Sequence, residues 1–376
     1  MFDSAAKDLT LPHLRVSLFG NCNFRCTYCP PWGENSYELG ERLSRDGLES
    51  VLGAFAKVGF SVVKLTGGEP TLRSDLIEIS ALASEMFDEV RLITNGWKLP
   101  RIAPQLSAVG LDTVEVSLDA AEEPLFDEIT QTTGQFNAVR RGLEAVLETG
   151  ISLQINMVVM QSNRGHVAKM IDLAEELGDV SLKLLELVYY EYPGYEYWVR
   201  NYVDLADLLP TLEERASTFE WLRPPGAFGS PMRVFHLDEG ATVIVKDGAV
   251  GAVYADICAG CRFHPCQDGL YGLSLTADGK AKMCKHRPDL NLDLSQPLRD
   301  GVSAVDEAVA TFAGRYRSAY YMKQGWNKGL PEQHAGRPNI EPTESVMRWY
   351  RMPRRPVEVG QATTSGEPDS RTKGRR

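Results

Sequence analysis

From Leu14 to about Tyr190 the chain alternates between two hydrophobic rhythms. Nearly unbroken apolar runs of strand length fall at Leu14–Phe19, Ser61–Thr66, Val90–Thr94, Thr113–Leu118, Ser152–Met160 and Ser181–Val188. Between them lie stretches that read as helices, among them Gly47–Val58, Ser74–Glu85, Phe136–Glu148 and Val167–Leu177. In the third of these, Phe136, Val139, Leu143, Val146 and Leu147 recur at helical spacing and define one apolar face. Apolar strands alternating with helices predict a parallel sheet covered by helices. Right-handed crossovers would curve that sheet. Reactive groups would then gather at the carboxyl ends of the strands, as in complete barrels.

After the sixth strand the rhythm changes. In Tyr189–Trp198 six of ten residues are aromatic, and the run is expected either to wall a pocket or to pack on the barrel rim. Residues 201–250 show an acidic helical piece around Asp204–Glu214 and then a Pro/Gly-rich stretch at 224–231, taken as a boundary. The predicted division is an extension at 1–12, a barrel at 13–222, a small Cys-rich module at 223–300, a helical segment at 301–350 and a tail at 351–376. The fold class is therefore α/β, with a small C-terminal module.

Composition narrows the partners. Of 376 residues 43% are hydrophobic, enough for one large domain and a smaller unit. No apolar run reaches the roughly eighteen residues of a membrane span, and the N-terminus lacks the basic start and apolar core of a secretory signal. No membrane partner is expected, and a reducing cytoplasm suits unpaired thiols. The net charge is −11; the tail carries seven Lys/Arg against three Asp/Glu, which leaves −15 on the rest. An acidic body argues against nucleic acid as a partner. The tail is poor in apolar residues and reads as disordered.

The seven cysteines fall into two sets. Cys22, Cys26 and Cys29 form a C-x3-C-x2-C loop directly after the first strand, and Cys258, Cys261, Cys266 and Cys284 lie near the other end. Two metal sites explain this better than disulfides. Closely spaced thiolates hold iron–sulfur clusters, and a 4Fe-4S cluster normally takes four. Three ligands leave one iron open for a substrate or cosubstrate. A zinc knot is the plainer alternative. The second strand ends in Gly67-Gly68-Glu69-Pro70, where the glycines permit close backbone approach to a ligand. Gln154 and Asn156 place two polar groups on one face of an apolar strand; buried, they need a partner, either a ligand or the core itself.

The Cys loop with Tyr28 before its third cysteine, followed by Gly-Gly-Glu-Pro, resembles the radical S-adenosylmethionine (SAM) superfamily. That resemblance implies a partial (β/α)6 barrel and a 4Fe-4S cluster on Cys22, Cys26 and Cys29. Its open iron chelates SAM, which a one-electron donor such as a flavodoxin or ferredoxin helps to cleave to a 5′-deoxyadenosyl radical. It also implies SAM contacts from Tyr28, Gly67, Gly68, Glu69, Pro70, Thr94, Ser117 and Asn156. The C-terminal C-x2-C-x4-C, with a C-x12-G-x4-C unit turning at Ala277–Lys280, resembles the twitch half of SPASM/twitch domains. It implies a second 4Fe-4S cluster on Cys258, Cys261, Cys266 and Cys284, with structural zinc as the alternative.

Over residues 14–290 the chain resembles the molybdenum-cofactor GTP cyclase family, including Glu186 in Leu-Leu-Glu-Leu. That family has a basic residue at Gln154, an Arg-x-Arg where this chain reads Arg262-Phe-His264-Pro, and a Gly-Gly end. Triphosphate needs such cations. Arg15 and Lys64, with Gln154, Arg262 and His264, remain as candidates for holding a smaller anion. The expected activity is a radical SAM reaction, of lyase or oxidoreductase type, on a nucleoside, sugar acid or amino sugar in antibiotic or other secondary metabolism. Decarboxylation of a cytosylglucuronate-type precursor is one instance. The alternatives are a maturase of ribosomally made peptides and a non-catalytic iron–sulfur or zinc scaffold.

Overall fold

Each apolar run of the first half forms a strand, and each strand pairs with the next in chain order. The strands are β1 (Leu14–Ser17), β2 (Val62–Thr66), β3 (Glu89–Thr94), β4 (Thr113–Ser117), β5 (Ser152–Val159) and β6 (Val180–Glu186). All adjacent pairs are parallel. Every boundary lies within two residues of the expected one. The structure, a computed structural model, describes residues 13–30, 42–189, 192–222, 232–238, 240–247, 252–258, 272–318 and 321–324, with Cys261 and Cys266. The expected extension at 1–12, the Pro/Gly-rich boundary, Arg262, His264 and the tail lie outside those residues.

Helices Arg45–Lys57, Leu76–Met86, Leu99–Ala108, Glu123–Thr130, Phe136–Leu147 and Val167–Leu177 cover one side of the sheet. On that side Val63, Leu65, Val90, Leu92, Val114, Val116, Ile155 and Leu182 are fully buried against Leu52, Phe55, Ile79, Leu106, Val139, Leu143 and Met170. Each such side chain stabilises the fold by about 1.5–3 kcal/mol relative to exposure. The other side is polar. Period-two alternation puts Arg15, Ser17, Lys64, Thr66, Arg91, Glu115, Ser117, Gln154, Asn156 and Lys183 there. The result is the partial (β/α)6 barrel, with an apolar jacket and a polar interior.

In the C-terminal half, further strands join the barrel sheet at both of its edges. Strands β7 (Ala216–Leu222), β8 (Met232–Leu237) and β9 (Thr242–Lys246) are followed by β10 (Ala252–Ala255), β11 (Leu273–Leu275), β12 (Lys280–Lys282), β13 (Leu292–Asp293) and β14 (Tyr321–Gln324). β9 lies parallel beside β6 and carries β8 and β7 as an antiparallel extension. β11 lies parallel beside β1 and carries β12 and β13. Both edges of the six-stranded barrel sheet are thereby paired, and β13 and β7 become the edges of a twelve-stranded sheet. β10 and β14 pair separately. The Ala277–Lys280 turn forms as expected, with Gly279 at φ +87°. The acidic piece after Asp204 splits into a short 3-10 turn, Leu205–Leu208, and a helix, Leu209–Arg215. The helix Val302–Ser318 opens the expected C-terminal helical segment and packs on Arg45–Lys57. No helix among the described residues is long and apolar enough to cross a membrane.

One buried cation fixes the entrance to the loop that follows β1. Arg73 is 2% exposed. Its guanidinium pairs with Asp75 (Nε to Oδ1 2.7 Å, Nη2 to Oδ2 3.0 Å) and donates to the carbonyls of Leu18 at 3.1 Å and Leu43 at 3.0 Å. Removing it leaves two carbonyls and a carboxylate without their donor. Arg73→Met should lower unfolding stability by about 3 kcal/mol, the cost typical of breaking a buried pair, measured by urea denaturation. A loss below 0.5 kcal/mol would contradict this role.

Candidate active site

The loop carrying Cys22, Cys26 and Cys29 is held by the ends of the neighbouring strands. Leu18 N donates to Thr66 O at 2.7 Å, Gly68 N to Phe19 O at 2.6 Å and Glu69 N to Asn21 O at 2.8 Å. Gly67 and Gly68 make this possible. A Cβ on Gly67 would lie 2.4 Å from Phe19 O, and one on Gly68 would lie 2.2 Å from Asn21 O. Gly67 also has φ +147°. The close approach expected of these glycines is therefore made first to the backbone of the Cys loop.

Glu69 is 1% exposed and locks the turn. Its Oε1 accepts from Thr71 N (2.9 Å), Thr71 Oγ1 (2.5 Å) and Thr94 Oγ1 (2.7 Å), and its Oε2 accepts from Asn95 N (2.7 Å). Burial raises its pKa, and these donors oppose the rise. Thr94 thus acts by holding Glu69, and Pro70 starts the short 3-10 turn that brings Thr71 into place. Asn95 Nδ2 donates to Asn23 Oδ1 at 2.9 Å and lies 3.9 Å from Cys22 Sγ.

On its other side the loop is tied to β4 and to the helix after it. Arg25 N donates to Thr130 O and Thr27 N to Ile129 O, both at 2.9 Å. Phe24 packs edge-on against Phe126 with centroids 5.8 Å apart. Tyr28 OH donates to Asp119 Oδ2 at 2.7 Å, and Val158 N donates to Asp119 Oδ1 at 2.8 Å. Burial pushes the Asp119 carboxyl up to about 6. The aromatic run contributes packing rather than an open wall. Tyr195, Trp198 and Tyr202 are buried with Ile129, Met160 and Leu187, and Tyr28 packs against that cluster. Tyr197 OH lies 2.9 Å from Thr27 Oγ1.

Burial raises the pKa of Cys22, and raises that of Cys26 further, where the charges of Asp119, Cys29 and Cys22 add to it. A metal must therefore displace the protons. Among the described residues, the set of three His, Cys, Asp or Glu ligand atoms lying within 4.8 Å of one another is Glu186, Asp204 and Asp247.

Deeper in the barrel, strand register brings the polar face into layers. Arg15 pairs Lys64, Lys64 pairs Arg91, Glu115 pairs Gln154, Ser117 pairs Asn156, and Asn156 pairs Lys183. Lys64 Nζ meets Glu115 Oε1 at 2.8 Å, and Arg91 Nη1 reaches the same oxygen at 3.4 Å. Burial alone would raise the Glu115 pKa, but Lys64, Lys183 and Arg91 hold it far below the usual carboxylate range. Lys64, expected as an anchor for a ligand anion, thus already has a protein carboxylate. Asn156 and Gln154 join the same network: Asn156 Nδ2 donates to Glu115 Oε2, and Gln154 Nε2 donates to Asn156 Oδ1. Glu115, Arg91 and Lys183 escaped the sequence reading, although their period-two placement on strands was visible there. Ser117 is half-buried on this face.

Cys258, Cys261, Cys266 and Cys284 are all half-buried, unbridged thiols. Burial first, then the charges of Cys258 and Cys261, raise the Cys284 pKa, so the structure brings these three together. His286 N points at Cys284 Sγ from 3.4 Å.

Comparisons with known proteins agree with this geometry. The family model of the Radical SAM superfamily matches residues 16–174. A probable GTP 3′,8-cyclase of Sulfurisphaera tokodaii is 32% identical over 337 residues, 87% of this chain and 97% of that protein. The GTP 3′,8-cyclase of Desulforamulus reducens is 29% identical over 84% of this chain and 94% of its own length. Among solved structures, Streptococcus suis SuiB bound to S-adenosylmethionine aligns with a TM-score of 0.51 at 15% identity, over 74% of this chain and 61% of SuiB, a likeness of fold. The match in family model, the near full-length relatives and the three-thiol loop at the barrel mouth agree: the chain belongs to the radical SAM superfamily and is an enzyme that uses a 4Fe-4S cluster and SAM.

Proposed function

We propose that this enzyme directs its radical at a small polar substrate, a nucleoside, sugar acid or amino sugar, lodged in the barrel interior. The observation that carries the reading is the thiol triad fixed at the mouth of a barrel whose inner face is polar and holds its central carboxylate against Lys64 and Arg91. When bound, the cluster and SAM supply one electron to the sulfonium and a 5′-deoxyadenosyl radical that takes a hydrogen atom. The chain's own work is binding, aiming and exclusion. Cys22, Cys26 and Cys29 would hold the cluster, and the Gly67–Pro70 turn, held by Glu69 and Thr94 beside their loop, would contribute to the SAM site. Ser117 and Asn156, register partners on the barrel's inner face, would contact SAM or substrate. The buried Tyr195, Trp198 and Tyr202 keep water away from the loop. A one-electron donor such as a flavodoxin or ferredoxin completes the system.

We also assign Cys258, Cys261, Cys266 and Cys284 to a second 4Fe-4S cluster. The effect of Cys258 and Cys261 on Cys284 and the iron–sulfur chemistry at the other site support it. Decarboxylation or a related tailoring of an antibiotic precursor fits a chamber in which Lys64 and Arg91 are already engaged by Glu115. The second reading, GTP 3′,8-cyclisation, draws on the names of relatives that match most of the chain.

Protein reconstituted anaerobically with iron and sulfide, and given dithionite, should form 5′-deoxyadenosine from SAM, while Cys26→Ala should form none. Equal yields from both proteins would overturn the reading. Consumption of GTP with a rise in 5′-deoxyadenosine would select the cyclase. Iron analysis of the same preparations should give about eight irons per chain, falling to about four when Cys22, Cys26 and Cys29 are all changed to Ala. Stoichiometric zinc in the triple variant would exclude the second cluster.

A further inference from the structure

Two cations and an amide converge at the centre of the barrel's inner face. Lys64 is 8% and Glu115 3% exposed, so their 2.8 Å contact is shielded from water. Arg91 shares Oε1 at 3.4 Å. Asn156 Nδ2 donates to Oε2 at 3.1 Å, and Gln154 Nε2 donates to Asn156 Oδ1 at 2.7 Å, which fixes the amide that faces Glu115. Two cations and an amide N–H around a pair of oxygens is the arrangement that holds a phosphate or carboxylate. Here the chain itself provides the anion. The cluster draws on four neighbouring strands: Lys64 and Arg91 are register partners on β2 and β3, Glu115 and Gln154 are register partners on β4 and β5, and Asn156 stands two residues further along β5.

We infer that Glu115 is a built-in counter-ion that sets the charge selectivity of the substrate chamber: it excludes polyphosphate ligands and admits neutral ones or those with a single anionic group. A polyphosphate entering the chamber meets one of two penalties. It can sit beside an ionised carboxylate in a low-dielectric interior, where repulsion is strong. Otherwise it can take Lys64 and Arg91 for itself and leave a buried carboxylate unpaired. Both are repulsive elements against the wrong ligand. A neutral or singly charged ligand avoids both. The substrate class deepens the function proposed above and rests on it, but the charge selectivity is a binding property that needs no SAM cleavage.

The test uses the full chain, reconstituted anaerobically, with inorganic tripolyphosphate as probe and calorimetry as readout. Glu115→Gln keeps the shape and the hydrogen-bonding oxygen while removing the charge. It should bind tripolyphosphate at least ~10-fold more tightly than the wild type. The gain should vanish in Lys64→Met/Glu115→Gln, and Glu115→Asp, which keeps the charge, should behave as the wild type. Equal affinity in wild type and Glu115→Gln, or a gain that persists in the double variant, overturns the inference. The wild type also tests it unaided: tight tripolyphosphate binding that Lys64→Met abolishes would show Lys64 open to ligand anions. Failure of the radical reading would appear instead as absent 5′-deoxyadenosine and would leave these affinities unchanged.

Discussion

The contact between the Gly67-Gly68 turn and the backbone of residues 19–21 governs the whole site. Two carbonyls pass so close to the turn that a single methyl group would collide with each. In return the turn donates two short hydrogen bonds to the loop, which fix the chain three residues before Cys22 and again just ahead of it. Everything that the thiols can hold depends on that seating. The turn is kept in shape by a buried carboxylate with four donors, an arrangement in which the donors offset much of the cost of burying its charge. Loop, turn and strand ends therefore behave as one preorganised unit, which is what aiming a radical at one C–H bond demands.

The interior follows a different electrostatic principle. An apolar jacket on the helical side supplies the stability, so the inner face is free to carry charge. Part of that charge is paired within the protein, where Lys64 and Arg91 meet Glu115 with two amides beside them. Buried ion pairs add little net stability compared with apolar packing. Their presence at the centre of a barrel points to selectivity in ligand binding.

Much of this was legible in the sequence, for physical reasons. Strands dense in apolar residues and helices with a clear apolar stripe, such as Phe136–Leu147, announce themselves by their pattern. The helices Leu99–Ala108 and Glu123–Thr130 were less evident, since the first contains Pro104 and the second is only eight residues long. The Cys triad and the Gly-Gly-Glu-Pro turn could be read because their chemistry restricts residue type. The glycines' immediate partner could not, because it is a backbone carbonyl from a distant segment. Glu115 was hidden for a similar reason: a lone acidic residue in a strand gains its meaning only from the long side chains of Lys64 and Arg91 that reach it from other strands. The joining of β9 and β11 to the barrel edges depends on long-range pairing, to which local patterns are blind.

The central claim is that three protein thiolates leave one metal corner for SAM. Electron paramagnetic resonance of the reduced, oxygen-free protein tests it most directly, with Cys258, Cys261, Cys266 and Cys284 replaced by Ala so that one signal remains. The account predicts a 4Fe-4S signal whose g-values shift when SAM is added. A signal that SAM leaves unchanged, from a cluster already bound by a fourth side chain, would contradict it.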